Sequence, residues 1–139
     1  MIRAATFKDL EDVLALTRDF VVSYPVDEGA FRANYPQLVS DPDTYFGLAE
    51  YDGRIAGYIL GGLHLTLYAN GGVAWIDEIM VDAEHRRLGL GRELMDAFEA
   101  WAKQRGSVLV TLATRRAAPF YEALDYRQTA GYFKKELKP

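Results

Sequence analysis

IMVDAEHRRLGLGREL, residues 79–94, starts as a strand end, runs through an acidic and then basic loop, and brings Gly89 and Gly91 to the start of a helical period. A helix N-terminus exposes unpaired backbone N–H groups and carries partial positive charge, so it can hold an anion, phosphate above all. Glycines just ahead of it remove the Cβ atoms that would keep the anion off the backbone. Arg86, Arg87 and Arg92 add full charges around the same spot, and the segment is built like a diphosphate cradle. Spacing separates the motifs that share this logic. A P-loop needs Gly-Lys-Ser/Thr, but Gly91 is followed by Arg92 and Glu93. A dinucleotide fingerprint needs a third small residue, and Leu94 stands there. What remains is Arg86-x-x-Gly89-x-Gly91 between a strand and an amphipathic helix.

Downstream, Leu90, Leu94, Phe98 and Trp101 share one helix face and Gly106 marks a stop. Residues 108–112 then form a β-branched and leucine strand. It should run parallel to the strand ending at Val81, because a helix crosses between them. Pro119 opens a short helix ending near Leu124, and residues 126–137 are expected to supply a closing strand or hairpin. Upstream, Asp52-Gly53 joins strands at residues 45–51 and 54–65, and Asn70-Gly71-Gly72 leads into a third at 73–81, which together predict an antiparallel meander. Thr6 and Asp9 form a capping-box pattern for a helix reaching Phe20, with Leu10, Val13, Leu14 and Val21 on its apolar stripe. Tyr24-Pro25 ends that helix, a weaker one covers residues 30–38, and Ile2 and Arg3 start an edge strand. The expected fold is an α/β (α+β) domain, 1–139, with a mixed, mostly antiparallel central sheet flanked by helices on both faces.

Composition narrows the function. Of 139 residues, 50% are apolar and 26% charged, the balance of a globular chain with a real core. The net charge of -4 argues against nucleic acid or an anionic membrane as partner, so the basic cluster has a local purpose. With no cysteine there is no disulfide and no thiolate nucleophile. Residues 55–76 lack charge but contain glycines and a turn, which suits strands better than a membrane span. The chain opens MIRAATFKDL, without the apolar core of a signal peptide, so a cytoplasmic location is expected. His64 reads as a packed or edge residue and His85 as surface loop. Neither has acidic or histidine company at ligand spacing, so no metal is expected.

The Arg86-x-x-Gly89-x-Gly91 loop, the acidic strand end IDEIMV before it, the segment AAPFYEALDY, the opening IRAATFKDLEDVLALT and the hairpin GLAEYDGRIAGYILGG together resemble the Gcn5-related N-acetyltransferase (GNAT) superfamily over nearly the whole chain. The resemblance implies acetyl-CoA (coenzyme A) as co-substrate and a fourth and fifth strand that are parallel and splay apart to admit it. Backbone groups of Ile79, Met80 and Val81 would pair with the pantetheine arm. Amides of Arg87, Leu88, Gly89, Leu90, Gly91 and Arg92, with Arg86 beside them, would cradle the diphosphate. Tyr121 matches the tyrosine that assists the departing thiolate. Thr114 stands where many relatives carry a cofactor-contacting asparagine, and Asp125 replaces the usual glycine before Tyr126 in a turn that Asp tolerates.

The implied reaction moves an acetyl group to a primary amine by direct attack, which needs a deprotonated amine and no covalent enzyme intermediate. Asp77 and Glu78 are the candidate bases. Strand alternation predicts that they point to opposite faces, the resemblance favours Asp77, and a water relay stays open. By residue type alone Tyr121 is more often a core residue, and Gly89 and Gly91 could merely turn the chain. Tyr24, Tyr35 and Tyr68, with Asp27 and Glu28 near them, suggest an aromatic, mildly acidic mouth for a small-molecule amine. The strand at 108–112 lacks the acid often found in protein N-terminal acetyltransferases, which lowers the weight of a protein substrate. A non-catalytic acyl-CoA-binding or sensing module is the competing class. The edge around Tyr132 and Phe133 could pair two copies into a homodimer, although Lys134 and Lys135 oppose it.

Overall fold

The computed structural model describes residues 1–20 and 24–138. Strands β1 (Ile2–Ala4), β2 (Thr44–Tyr51), β3 (Arg54–Thr66), β4 (Gly71–Val81) and β5 (Ser107–Leu112) form one sheet in that spatial order. Neighbours are antiparallel from β1 to β4, and β4 and β5 are parallel. The parallel step follows from α3 (Leu90–Gln104), which crosses over the sheet between them.

Two apolar layers fix the helices to the sheet. On one face α1 (Leu10–Arg18) and α2 (Glu28–Ser40) bury Val13, Leu16 and Tyr35 against Phe46, Leu48 and Tyr58. On the other, α3 sets Leu90, Leu94, Met95 and Phe98 on Ile59, Ala74 and Ile76, and α4 (Ala118–Glu122) adds Tyr121. Trp101 sits at the margin of this layer, half-buried beside Tyr45. No helix among the described residues is long and apolar enough to cross a membrane.

The elements follow the sequence pattern, with a few differences. α1 ends at Arg18, short of Phe20, and Val21 lies outside the described residues. α2 starts earlier than its apolar pattern, because the Asp27 carboxylate accepts the Ala30 N–H and caps it. Asp125 adopts φ 69°, the left-handed turn expected of it. The closing strand expected at residues 126–137 does not form. Residues 127–138 are exposed and belong to no ladder. That stretch offers only Tyr132, Phe133 and Leu137 as large apolar groups, too few for the cross-strand burial that stabilises a sheet edge. Side chains hold it instead: Tyr132 stacks on Trp75 at 6.3 Å, Lys134 lies over the Tyr24 ring, and the Tyr24 hydroxyl donates to Glu136 at 2.9 Å.

The capping box does form, and it is tied to the sheet edge. Asp9 accepts from the Thr6 N–H at 2.8 Å and the Thr6 hydroxyl at 3.0 Å, and receives both arms of the Arg3 guanidinium at 2.9 and 2.8 Å. Arg3 also pairs with Glu50 on β2. The Arg3 bonds, opposed by burial and reinforced by Thr6, hold the Asp9 carboxyl well below the usual carboxylate range. A depressed folded-state pKa contributes stability that is present above the unfolded value near ~3.9 and is lost as pH falls further. Asp9→Asn is therefore expected to cost about 2 kcal/mol at pH 7. The variant should also show a shallower loss of stability between pH 5 and 2 than wild type. Urea unfolding at several pH values measures both, and parallel acid limbs would refute the assignment.

Candidate active site

The β4–β5 junction is where the sheet opens. Its last paired residues are Ile76 and Leu112, yet β4 continues to Val81. Along that extension the other edge stays bonded to β3, with Gly57 opposite Val81 and Tyr58 opposite Met80. The Asp82 N–H donates to the Ala56 carbonyl at 2.7 Å. Alternation in an antiparallel ladder then turns the backbone groups of Ile79 and Val81 away from β3, toward the side where β5 has ended. Arg86 Nε reaches the Val81 carbonyl from there at 3.4 Å. Met80 is the exception among the three expected edge residues: its backbone faces β3 and its side chain is buried under α1 and α2.

The loop after β4 delivers the N-terminus of α3 beside this open edge. A short 3-10 turn at Ala83–His85 is capped by Asp82, and Arg87 and Gly89 both take left-handed backbone, at φ 67° and 80°. The left-handed Arg87 is uncommon for a non-glycine residue, and the sequence carried no sign of it. The first helical bond runs from Glu93 N–H to the Gly89 carbonyl at 3.1 Å, and no side chain caps the helix. The amides of Leu90, Gly91 and Arg92 therefore precede the helical ladder. Leu88 is largely exposed. Among the described residues Arg86, Arg87 and Arg92 form no ion pair, unlike Arg3, Arg18, Arg32 and Arg105.

The two glycines differ in purpose. A Cβ at Gly89 would meet no protein atom within 4 Å, so glycine there serves the left-handed turn and leaves open space. A Cβ at Gly91 would lie 3.3 Å from the Phe120 ring, so Gly91 lets α4 pack against the start of α3. The Thr114 Oγ1 accepts the Ala117 N–H at 3.1 Å, one residue ahead of α4. Tyr121 is 8% exposed, in edge contact with Phe120 and Tyr126, and burial raises the pKa of its phenol. Among the described residues its hydroxyl has no hydrogen-bond partner.

Asp77 and Glu78 do not face opposite sides of the sheet. Leu60 pairs with Glu78 and Gly61 with Ile76, so Asp77 is the extra residue of a β-bulge. The bulge cancels the alternation. Both acids then border cavities that share Leu38 and Leu60, on the face of α1 and α2. Glu78 lines a cavity of about 210 Å³ beneath those helices. Its Oε1 accepts the Tyr58 hydroxyl at 2.8 Å. Asp77 borders a more polar groove with Asp41, Asp43 and His64. Partial burial, then the charge of Glu78, raises the Asp77 pKa, and His64 opposes them.

Tyr58 escaped the sequence reading. Burial and then the neighbouring Glu78 raise its pKa. Only the bulge fixes the register that brings the two together, and nothing local announces it. The three tyrosines expected at the mouth do not converge. Tyr35 lines the cavity beneath α1 and α2, but it is a core residue whose hydroxyl donates to the Thr6 carbonyl at 2.8 Å. Tyr24 is held by the C-terminal segment and Tyr68 is 75% exposed in the β3–β4 turn, and neither lines the cavity. His64 is exposed and borders the acidic groove. His85 is a correction, since its side chain is only 14% exposed between Asp82 and Tyr51 rather than on the surface.

A sequence model of the acetyltransferase (GNAT) family matches residues 10–126. The chain is 29% identical to aminoalkylphosphonate N-acetyltransferase of Salmonella typhimurium over 98% of its own length and 90% of the relative's. Among solved structures, a transcriptional regulator from Bacillus halodurans C-125 superposes with a TM-score of 0.88 at 23% identity, covering 99% of each chain. AAC(6')-Iy in complex with the bisubstrate analogue CoA-S-monomethyl-acetylneamine superposes with a TM-score of 0.84 at 18% identity, covering 100% of this chain and 98% of the other. At these identities the two structures speak for the fold.

Proposed function

The chain belongs to the GNAT family of acetyltransferases, and on that premise we propose that it uses acetyl-CoA to acetylate a primary amine of a small molecule, by direct attack while both are bound. The observation that carries the reading is the open edge of β4 at Ile79 and Val81, next to the uncapped start of α3. Backbone amides at that edge suit the amide groups of a pantetheine arm, as an added strand would. The unpaired amides from Leu90 to Arg92, with Arg86, Arg87 and Arg92 around them, suit a diphosphate. Leu88 lies in the same loop, and we place Thr114, between β5 and α4, on this rim as well.

When bound, acetyl-CoA supplies the thioester whose acetyl group is transferred. The chain's own contribution is positioning and proton movement. An arriving ammonium ion gives one proton to a carboxylate, which passes it to water, and the neutral amine attacks the carbonyl carbon. A free N–H at the β4 edge is suited to the developing oxyanion. As the C–S bond breaks, the amine's second proton ends on sulfur, and Tyr121 is the donor that can relay it. Of the two acids we assign the base to Glu78, which faces the cavity and is oriented by Tyr58, and give Asp77 an electrostatic role at the bulge. Phosphonate-bearing amines, the substrates named for the Salmonella relative, belong to the amine class considered.

Thiol release from acetyl-CoA across a panel of amines tests this reading. Tyr121→Phe is expected to lower kcat about 10-fold with little change in coenzyme A affinity, a modest loss because a thiolate of pKa near ~8.5 can depart unaided. Coenzyme A binding without amine-dependent thiol release in the wild type would point to the non-catalytic module instead.

A further inference from the structure

We infer that the acceptor is a monoamine carried on an aromatic or otherwise apolar body, with its ring in the cavity under α1 and α2 and its ammonium group against Glu78. The inference rests on the transfer reading above and narrows its substrate. Size comes first. The cavity measures about 210 Å³, and an apolar cavity of roughly 150 Å³ accepts benzene. One ring with a short aliphatic arm therefore fits within it.

The lining decides the chemistry. Phe20, Phe31, Leu38, Phe46 and Leu60 form apolar walls. The polar groups are Glu78, Tyr58, Tyr35, Thr17 and Asn34, and no Lys, Arg or His is among the described residues that line it. Tyr35 has spent its hydroxyl proton on Thr6 and Tyr58 has spent its own on Glu78. One Glu78 oxygen is held in this way, and the other is left to take an ammonium ion as a charge-assisted partner. An amine bearing a phosphonate would bring a second negative charge beside that carboxylate with no cation to receive it. A polyamine would leave extra ammonium groups against apolar walls.

Calorimetry without acetyl-CoA separates these cases, with phenylethylamine, aminoethylphosphonate, spermidine and neutral phenylethanol as probes. Phenylethylamine should bind at least about 10-fold more tightly than aminoethylphosphonate or spermidine, the scale of one charged hydrogen bond. Glu78→Gln should weaken phenylethylamine about 10-fold and leave phenylethanol unchanged, which also shows the cavity intact in the variant. The same order should hold for kcat/KM in thiol release. Preference for aminoethylphosphonate or spermidine, with amine-dependent thiol release present, overturns the acceptor assignment and leaves the transfer reading standing. Phenylethylamine affinity indifferent to Glu78→Gln overturns it as well. Absence of thiol release with every amine, despite phenylethylamine binding, overturns the transfer reading instead.

Discussion

Gly89→Val is expected to weaken coenzyme A binding at least about 100-fold, close to 2.7 kcal/mol, while the protein stays folded. Residue 89 sits at φ 80° with no protein atom near its missing Cβ. A Cβ there meets no protein atom, but a β-branched residue is strained in left-handed backbone by about 1–2 kcal/mol. The loop relieves that strain by changing its shape, and the new side chain stands in the space an anion would enter. Loss of stability should stay near ~1–2 kcal/mol, while binding suffers both effects. Thermal unfolding and calorimetry with coenzyme A measure the two quantities separately. Affinity within twofold of wild type would remove the diphosphate site from this loop. Gly91→Ala is the informative contrast, because its Cβ meets Phe120 and its effect should appear as repacking of α4.

Glu78→Gln is expected to lower kcat/KM for amine acetylation by about 100-fold or more, the usual scale for removing a general base. An amide oxygen can still accept the Tyr58 hydroxyl, so the substitution removes charge and basicity while preserving shape. Coenzyme A affinity should not change, since the loop and edge amides are untouched. Asp77→Asn should cost much less, because Asp77 borders the acidic groove and not the cavity. Steady-state kinetics on both variants settles the order. If Asp77→Asn is the more damaging, the base is Asp77, and the elevated pKa that burial and Glu78 impose on it would be its means.

Much of this molecule was legible along the chain because its signals are local. Asp52-Gly53 marks a hairpin by backbone preference alone, and Asp52 does take φ 51°. Leu90, Leu94 and Phe98 recur at the helical period and end up on one buried face. The diphosphate cradle is contiguous, so glycine spacing, arginines and a helix start could be read together. The expected closing strand fails to form for the opposite reason: an apolar fragment such as Tyr132-Phe133 pairs only if a neighbouring edge gives it enough burial, and that depends on distant residues.

Residue order was enough to establish the meander, the parallel crossover and the basic turn with Gly89, since each depends on groups a few positions apart. Folding in three dimensions added what hangs on register. The unsignalled bulge at Asp77 places both acids on one side, sets Glu78 against Tyr58 and opens β4 beyond Ile76. That register is chosen by the packing of the whole sheet against its helices, and a shift of one residue reverses every side chain after it.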